Sequence, residues 1–163
     1  MKPTVKFNSI RGFSYIEIVF TVAILALLAT AAVPYAELVI TRKKETELKR
    51  GLREIRTAID AYKKAVDDGL IRKTIDESGY PHSLDDLVAG VVDITSPKTK
   101  KIYFLRRLPR DPMFPEQNVP ASDTWAKRSY DSDPGFPQPG IDVFDVYSLS
   151  ENKGLNGVPY SQW

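Results

Sequence analysis

Glu17 is the residue whose chemistry most constrains this sequence, because it is a carboxylate at the start of a long apolar segment. The sixteen residues 18–33 carry no charge. A carboxylate in a membrane-spanning segment costs about 2.5–3.5 kcal/mol near the helix centre and less near its end. An acid kept at such a place is expected to have a functional partner, which a simple anchor would not need. The alternative is that Glu17 only lies among lipid headgroups.

Few other groups in the sequence could support catalysis or metal binding. The 163 residues include no cysteine and one histidine, His82. This composition excludes disulfides, thiolate metal sites and a multi-histidine centre. His82 follows a proline and is expected in a surface loop. The sequence contains no nucleophile motif, glycine-rich phosphate loop or metal-ligand spacing. We predict that the protein is not an enzyme; an enzyme or solute-binding module on a membrane anchor is the less favoured alternative.

The average composition of the chain hides two regions of different character. Hydrophobic residues make up 42% and charged residues 27%, as in ordinary soluble proteins. However, the longest apolar run lies within the first forty residues, whereas nine of the twelve prolines lie from residue 97 onward. The net charge of +2 gives no reason to expect a nucleic-acid partner.

The apolar segment has the length of a membrane-spanning helix. Residues 13–33 would span about 31 Å as a helix, and a bilayer core is roughly 30 Å thick. The twelve residues before it carry three basic side chains and no acid. This pattern fits a secretory signal peptide cleaved near Thr30-Ala31-Ala32, a plain signal anchor, or a signal cut before the apolar run, which would then remain in the mature chain.

The residues around Glu17 favour the third of these interpretations. The run from Gly12 and Phe13 to Glu17 resembles the processing site of type IV pilins and type II secretion pseudopilins, and Pro34 matches a family position late in the apolar helix. The resemblance implies that prepilin peptidase cuts between Gly12 and Phe13 and methylates the new N-terminus of Phe13. Glu17, then the fifth mature residue, is expected to neutralise the amine of a neighbouring subunit during assembly, because an unpaired charge is costly at low dielectric.

Charge alone does not orient the chain in a membrane. Three basic residues precede the apolar run and three follow it, namely Lys2, Lys6 and Arg11 against Arg42, Lys43 and Lys44. The family resemblance implies a single pass through the inner membrane, with the C-terminal head in the periplasm. Loss of the leader would leave 20 basic and 21 acidic side chains, so the mature chain would carry a net charge of −1.

The residues after the membrane segment predict an amphipathic helix that ends near Asp68. Apolar side chains recur at spacings of four and three residues, which is typical of one helix face. These are Leu48, Leu52, Ile55, Ile59, Tyr62 and Val66, widened by Ala58, Ala61 and Ala65. We expect this stripe to pack against a head domain; a short coiled coil is the alternative. Gly69 is the expected C-cap.

Several residues should affect the shape and stability of this helix. Pro34 should bend or loosen it because proline lacks a backbone N–H, and Gly51 should cost up to about 1 kcal/mol relative to alanine. Opposite charges four residues apart should add about 0.2–0.5 kcal/mol per pair. The expected pairs are Glu45–Lys49, Arg50–Glu54, Arg56–Asp60 and Asp60–Lys64.

The remaining residues predict a loop-rich head with short antiparallel strands. Strands are expected within 101–105, 127–130 and 143–148, and a short helix within 83–88 with Ser83 as its N-cap. Such strands cannot stand alone and need the helix stripe as a second layer. The fold class is therefore α+β, with a long N-terminal helix packed against a small antiparallel sheet, as in type IV pilin-like proteins.

Motifs in the head narrow the resemblance to the major pseudopilins of type II secretion, the G subunit family. These motifs are Tyr80-Pro81, the run Leu-Pro-Arg-Asp-Pro at 108–112, a Trp-x-x-x-x-Tyr segment at 125–130, Phe-Asp-Val-Tyr-Ser at 144–148 and a final Trp163. The absence of cysteine counts against type IVa major pilins, which usually carry a disulfide-closed loop. The implied organisation is a leader at 1–12, a membrane and filament-core helix at 13–40, an amphipathic half-helix at 41–68 and a periplasmic head at 69–163.

The tail departs from the pattern of that family, in which the loop after the last strand is acidic and binds calcium. Calcium takes six to eight oxygen ligands. Residues 149–157 offer one carboxylate, two amides and a lysine. The cofactor prediction is either none or a weak calcium site that uses Glu151, Asn156 and backbone carbonyls. In the former case the loop is held by its own hydrogen bonds, with Tyr160 and Trp163 packed onto the head.

The resemblance implies a structural function. The chain would polymerise into a short periplasmic filament that helps push folded proteins across the outer membrane; the alternative is a pilin of a surface pilus for adhesion, motility or DNA uptake. The implied partners are further copies of the chain, prepilin peptidase, minor pseudopilins, an inner-membrane platform protein, an assembly ATPase and membrane lipid.

Overall fold

The longest element is helix α1, Tyr15–Asp67, in a computed structural model that describes residues 12–163. By length and composition, one stretch of α1 could cross a membrane, and none of that stretch is buried within the protein. Pro34 lies inside α1, and the helix continues on both sides of it. Residues 1–11 of the expected leader lie outside the described residues.

Gly69 ends helix α1 by the mechanism that the sequence predicted. Its φ of +74° is in the left-handed region that favours glycine. The Gly69 N–H donates to the Val66 carbonyl and the Leu70 N–H donates to the Ala65 carbonyl, at 3.0 and 2.9 Å. This pair of bonds is a Schellman cap, which satisfies carbonyls that have no partner within the helix.

The chain divides into two compact units, with the boundary between Ile40 and Thr41. Helix α1 contributes residues to both. The described part of the first unit has exposed side chains at positions 13–30 and 32–40. The second unit, residues 41–163, contains the hydrophobic core and every other helix and strand of the described chain.

The predicted stripe on α1 forms half of that core. All six of its stripe residues are buried, together with Ala58 and Ala65. The other half comes from the head, namely Ile71, Leu84, Leu87, Leu105, Trp125, Val143, Val146 and Tyr160. Ala61 was expected to widen the stripe, but it is exposed. It follows the buried Ile59 by two residues, about 200° around the helix, and so lies outside the buried face of α1.

Short elements cover the stripe in chain order. They are helix α2 at Asp86–Ala89, strands β1 at Val91–Val92 and β2 at Lys101–Ile102, a 3-10 turn at Ala121–Thr124, strands β3 at Trp125–Arg128 and β4 at Asp145–Ser148, and a 3-10 turn at Tyr160–Gln162. The fold class is therefore the predicted α+β, type IV pilin-like arrangement. The strands, however, form two separate antiparallel pairs, β1 with β2 and β3 with β4.

The strand bounds differ from the expected ones because other hydrogen bonds limit the pairing, and the strand expected at 127–130 lies two residues earlier, at Trp125–Arg128. Strand β2 stops at Ile102, since the N–H groups of Phe104 and Leu105 both donate to the carbonyl of Leu87 on α2. The Val143 N–H donates to the Pro81 carbonyl at 2.8 Å, so β4 begins only at Asp145. Strand β3 pairs from Trp125 opposite Ser148 to Arg128 opposite Asp145.

The predicted N-cap Ser83 acts one turn before helix α2. The Asp86 N–H donates to the Ser83 hydroxyl at 3.3 Å, and the Ser83 N–H donates to the Asp86 carboxylate at 2.9 Å. This reciprocal pair resembles a capping box. Because the intervening residues form a turn, helix α2 itself starts only at Asp86.

Candidate functional site

The predicted processing residues lie at the start of helix α1 and are accessible. Gly12 and Phe13 precede the helix, and Phe13 is 80% exposed. Glu17 lies in the first turn, where its carboxylate accepts a hydrogen bond from the Ser14 N–H at 3.4 Å. A carboxylate in this position also interacts favourably with the positive end of the helix dipole. The long contact leaves oxygen lone pairs available to a second donor. Cleavage at Gly12, methylation of Phe13 and the assembly roles of Glu17 and Pro34 stay predictions.

The surface of α1 next to this site is apolar on all sides. Large hydrophobic side chains from Phe13 to Ile40 are exposed around the helix. A helix that is hydrophobic all round needs an apolar environment. The described chain covers none of this surface, so lipid or other protein chains are required to do so.

Arg56 ties α1 to the C-terminal part of the head. Its guanidinium donates to the Asp145 carboxylate at 2.7 Å, to the Val146 carbonyl at 3.0 Å and to the Trp163 carbonyl at 2.9 Å. The expected pairing of Arg56 with Asp60 is therefore wrong. The carboxylate on strand β4 is held in place by the sheet, and the planar guanidinium can serve several acceptors at once.

A buried carboxylate, Asp142, ties together three loop segments. It accepts hydrogen bonds from the Ser129 hydroxyl at 2.6 Å, from the Tyr130 N–H at 2.9 Å and from the Ser78 hydroxyl. Burial by itself would raise the pKa of Asp142, but these hydrogen bonds to the charged form lower it below the ordinary value. The charged form is thus part of the folded structure.

Asp111 is a second buried carboxylate, within the 108–112 motif. It accepts from the Ser148 hydroxyl at 2.5 Å and from the Met113 N–H at 2.7 Å. Burial raises the pKa of Asp111, and its two hydrogen bonds only partly oppose that rise. The hydrogen bonds of both carboxylates come from neighbouring groups of the fold, so their geometry supports a structural role.

The candidate calcium residues lie on an exposed loop after β4. Glu151 and Asn156 are both exposed, and the Asn156 side-chain oxygen accepts from the Val158 N–H at 3.1 Å. In the described part of the chain, no group of three or more histidine, cysteine, aspartate or glutamate side chains is arranged to hold a metal ion. The weak calcium site at Glu151 and Asn156 stays a prediction.

The same loop contacts helix α1 through Glu45. Glu45 was expected to pair with Lys49. Instead its carboxylate accepts from the Leu155 N–H at 2.6 Å and from the Tyr160 hydroxyl at 3.2 Å. Burial raises the pKa of Tyr160, and the hydrogen bond to Glu45 and the charge of that carboxylate raise it further. Lys49 lies over the Trp163 ring, 4.3 Å from its centroid.

Sequence reasoning missed four residues that organise the head, namely Glu45, Arg56, Asp111 and Asp142. Asp111 could have been suspected, because an acid between two prolines in a mostly apolar motif is a typical acceptor for loop N–H groups. The partners of the other three lie 64–115 residues away or on separate loops. No local pattern encodes such pairs.

Comparisons with known proteins support the resemblance that the motifs suggested. The chain is 28% identical over 159 residues to a protein named "Type II secretion system core protein G" from Dickeya chrysanthemi. The match covers 90% of this chain and 94% of that protein. No family model matches the chain. No solved structure matches it either.

Proposed function

We propose, from the premise that this chain is pseudopilin-like in sequence and fold, that it is a structural subunit of a type II secretion pseudopilus. The observation that carries the proposal is the extent of the match, because nearly the whole of each chain takes part in it. The similarity thus includes both the apolar N-terminal segment and the head. A relative that shared only an apolar helix would say little, since any membrane anchor has one.

The described N-terminal residues fit this role. An exposed apolar helix needs a hydrophobic environment, which the membrane supplies before assembly and other subunits supply in a filament. Cleavage after Gly12 would create an amine at Phe13, four residues and one helical turn before Glu17. In an apolar filament core, the carboxylate of one subunit and the amine of its neighbour would each remove the cost of leaving the other unpaired.

The proposed life cycle follows from these parts. The chain inserts in the inner membrane with residues 41–163 in the periplasm, loses its leader and polymerises. The filament then helps to move folded proteins across the outer membrane. The work is mechanical and comes from the assembly machinery, so the role requires no catalytic group in this chain.

The cleavage step is tested with Gly12→Val, scored by the size of the protein in membranes. We expect Gly12→Val to keep the leader and to run at the full size of 163 residues. The accessible Gly12–Phe13 segment should be cut in the wild type. A mature-sized product from the variant would show that cleavage occurs elsewhere, for example near Thr30.

The assembly step is tested with a charge series at Glu17. Glu17→Gln keeps the shape and loses the charge, Glu17→Asp keeps the charge, and Thr21→Val is the matched control one turn further on. We expect the glutamine variant to be processed but to form few filaments, with the other two close to wild type. Normal filaments from Glu17→Gln would refute the pairing.

Short periplasmic filaments together with a loss of secretion in a deletion strain would support a pseudopilus, whereas long extracellular fibres would indicate a surface pilus.

A further inference from the structure

The end of the chain lies along one face of α1. Three side chains on that face, Glu45, Lys49 and Arg56, contact residues between 154 and 163. Their spacings of four and seven residues place them on the same side of the helix. The tail therefore docks on a row of charged groups that belongs to the helix.

Glu45 makes the contacts that fix the loop between 152 and 160. Its carboxylate accepts from the Leu155 N–H at 2.6 Å and from the Tyr160 hydroxyl at 3.2 Å, on both sides of the turn. Gly154 lets the carboxylate come this close. A Cβ atom on Gly154 would lie 3.1 Å from the Glu45 Oε1 and 2.3 Å from the Trp163 ring, so a larger residue would force the loop apart.

Four oxygen atoms of this loop already accept hydrogen bonds from groups of the loop itself. The Asn152 carbonyl accepts from the Tyr160 N–H, and the Gly154 carbonyl from the Gly157 N–H. The Val158 carbonyl accepts from the Gly154 N–H at 2.9 Å and from the Trp163 indole N–H at 3.3 Å. The Asn156 side-chain oxygen accepts from the Val158 N–H. The groups aimed at Glu45 are donors, which suit an anion and not a metal ion.

We propose that the Glu45 carboxylate of α1, bound by the Leu155 N–H and the Tyr160 hydroxyl, orders the C-terminal loop in place of a metal ion. The loop in this chain is closed by an internal anion, whereas in the family that the sequence resembles it is closed by calcium. The residues present fit calcium poorly, because it takes six to eight oxygen ligands and residues 149–157 supply one carboxylate. The proposal does not depend on whether the filament acts in secretion or as a surface pilus.

The first test asks whether calcium affects the loop. The full chain in detergent micelles is compared in millimolar calcium chloride and in excess chelator, by thermal unfolding and by amide hydrogen exchange of the peptide that contains Leu155. We expect the same melting temperature and the same exchange in both conditions. A higher melting temperature or slower loop exchange with calcium would overturn the proposal.

The second test alters the carboxylate. We expect Glu45→Ala to speed exchange of the Leu155 amide about tenfold or more, because a hydrogen bond to a charged group is lost. Glu45→Gln should lie between alanine and wild type, since it keeps an acceptor and loses the charge. Glu47→Ala, an exposed position on the same helix, is the control and should leave the loop unchanged.

Tyr160→Phe keeps the test informative if the Glu45 variants fail to fold. It removes one donor and retains the packing of the buried ring against the core. We expect a few-fold increase in loop exchange, with exchange of the core amides of α1 unchanged. Loop exchange equal to wild type in both Glu45→Ala and Tyr160→Phe would refute the proposal.

Discussion

Replacing Gly51 by alanine should destabilise the head, although the same change at an exposed helical site stabilises. Gly51 lies within α1 and is buried. A Cβ atom there would be 3.3 Å and 3.4 Å from two carbons of the Trp125 ring and 3.7 Å from the Cβ of Pro109. Carbon atoms normally pack at about 3.5–4.0 Å. The ring would therefore have to retreat by a few tenths of an ångström.

The surroundings of Trp125 decide the sign of this effect. The ring is 2% exposed, and its indole N–H donates to the Pro109 carbonyl at 2.8 Å. Movement away from Gly51 would strain that bond and the core behind the ring. Helix propensity favours alanine by about 0.8–1.0 kcal/mol, whereas overpacking a core costs about 1–3 kcal/mol. We expect a net loss of about 1 kcal/mol for Gly51→Ala, and more for Gly51→Val.

The assay is thermal or urea unfolding of the full chain in micelles, followed by circular dichroism. A loss of about 1 kcal/mol should lower the melting temperature by roughly 3–5 °C. Ala61→Gly, at an exposed position of the same helix, measures propensity alone. A double-mutant cycle with Trp125→Phe isolates the contact, since the smaller ring should remove much of the cost. If Gly51→Ala raised the melting temperature, the reasoning about Trp125 would be wrong.

Four further changes test the head. Asp142→Asn should cost about 1–3 kcal/mol of unfolding free energy because the carboxylate accepts three hydrogen bonds. Since the pKa of Asp142 is lowered on folding, this stabilisation is present at neutral pH and is lost as the pH falls through that lowered pKa. Urea denaturation at several pH values would show this loss. Asp111→Asn should cost less at neutral pH, because burial raises the pKa of Asp111 and its contribution falls as the pH rises from its unfolded to its folded pKa. Ile59→Ala, at a fully buried site, should cost about 2–5 kcal/mol in the same assay. Arg56→Lys should cost about 1 kcal/mol, because an ammonium cannot reproduce the planar fork, and thermal unfolding would detect it.

The helical half of the fold could be predicted from the sequence because helical order is local. The stripe from Leu48 to Val66 repeats at the period of the helix, so its residues share one face whatever the head does. Gly69 ends the helix through bonds to residues only three and five positions earlier. The motif around Gly12, Phe13 and Glu17 is likewise contiguous and can be recognised without a structure.

The strands were predicted less well because pairing depends on distant residues. Strand β2 ends where the carbonyl of Leu87 takes up two N–H groups, and β4 starts late because Val143 bonds to Pro81. The alternation of side chains along a strand does not indicate which distant carbonyl groups will take up its N–H groups. The alternation therefore located the strands approximately but set neither their ends nor their division into two sheets.

By itself, the sequence determined the apolar segment, the amphipathic stripe, the absence of disulfides and the resemblance to pseudopilins. Only the tertiary structure decided which charged groups meet. Arg56 pairs with Asp145, 89 residues away, and Glu45 reaches Leu155, 110 residues away. An ion pair between side chains four residues apart on a helix surface contributes only a few tenths of a kcal/mol, so its members readily bind other partners. The head holds fixed acceptors and donors within reach of the helix. Arg56 and Glu45 therefore bind these groups and not the oppositely charged side chains four residues along the helix.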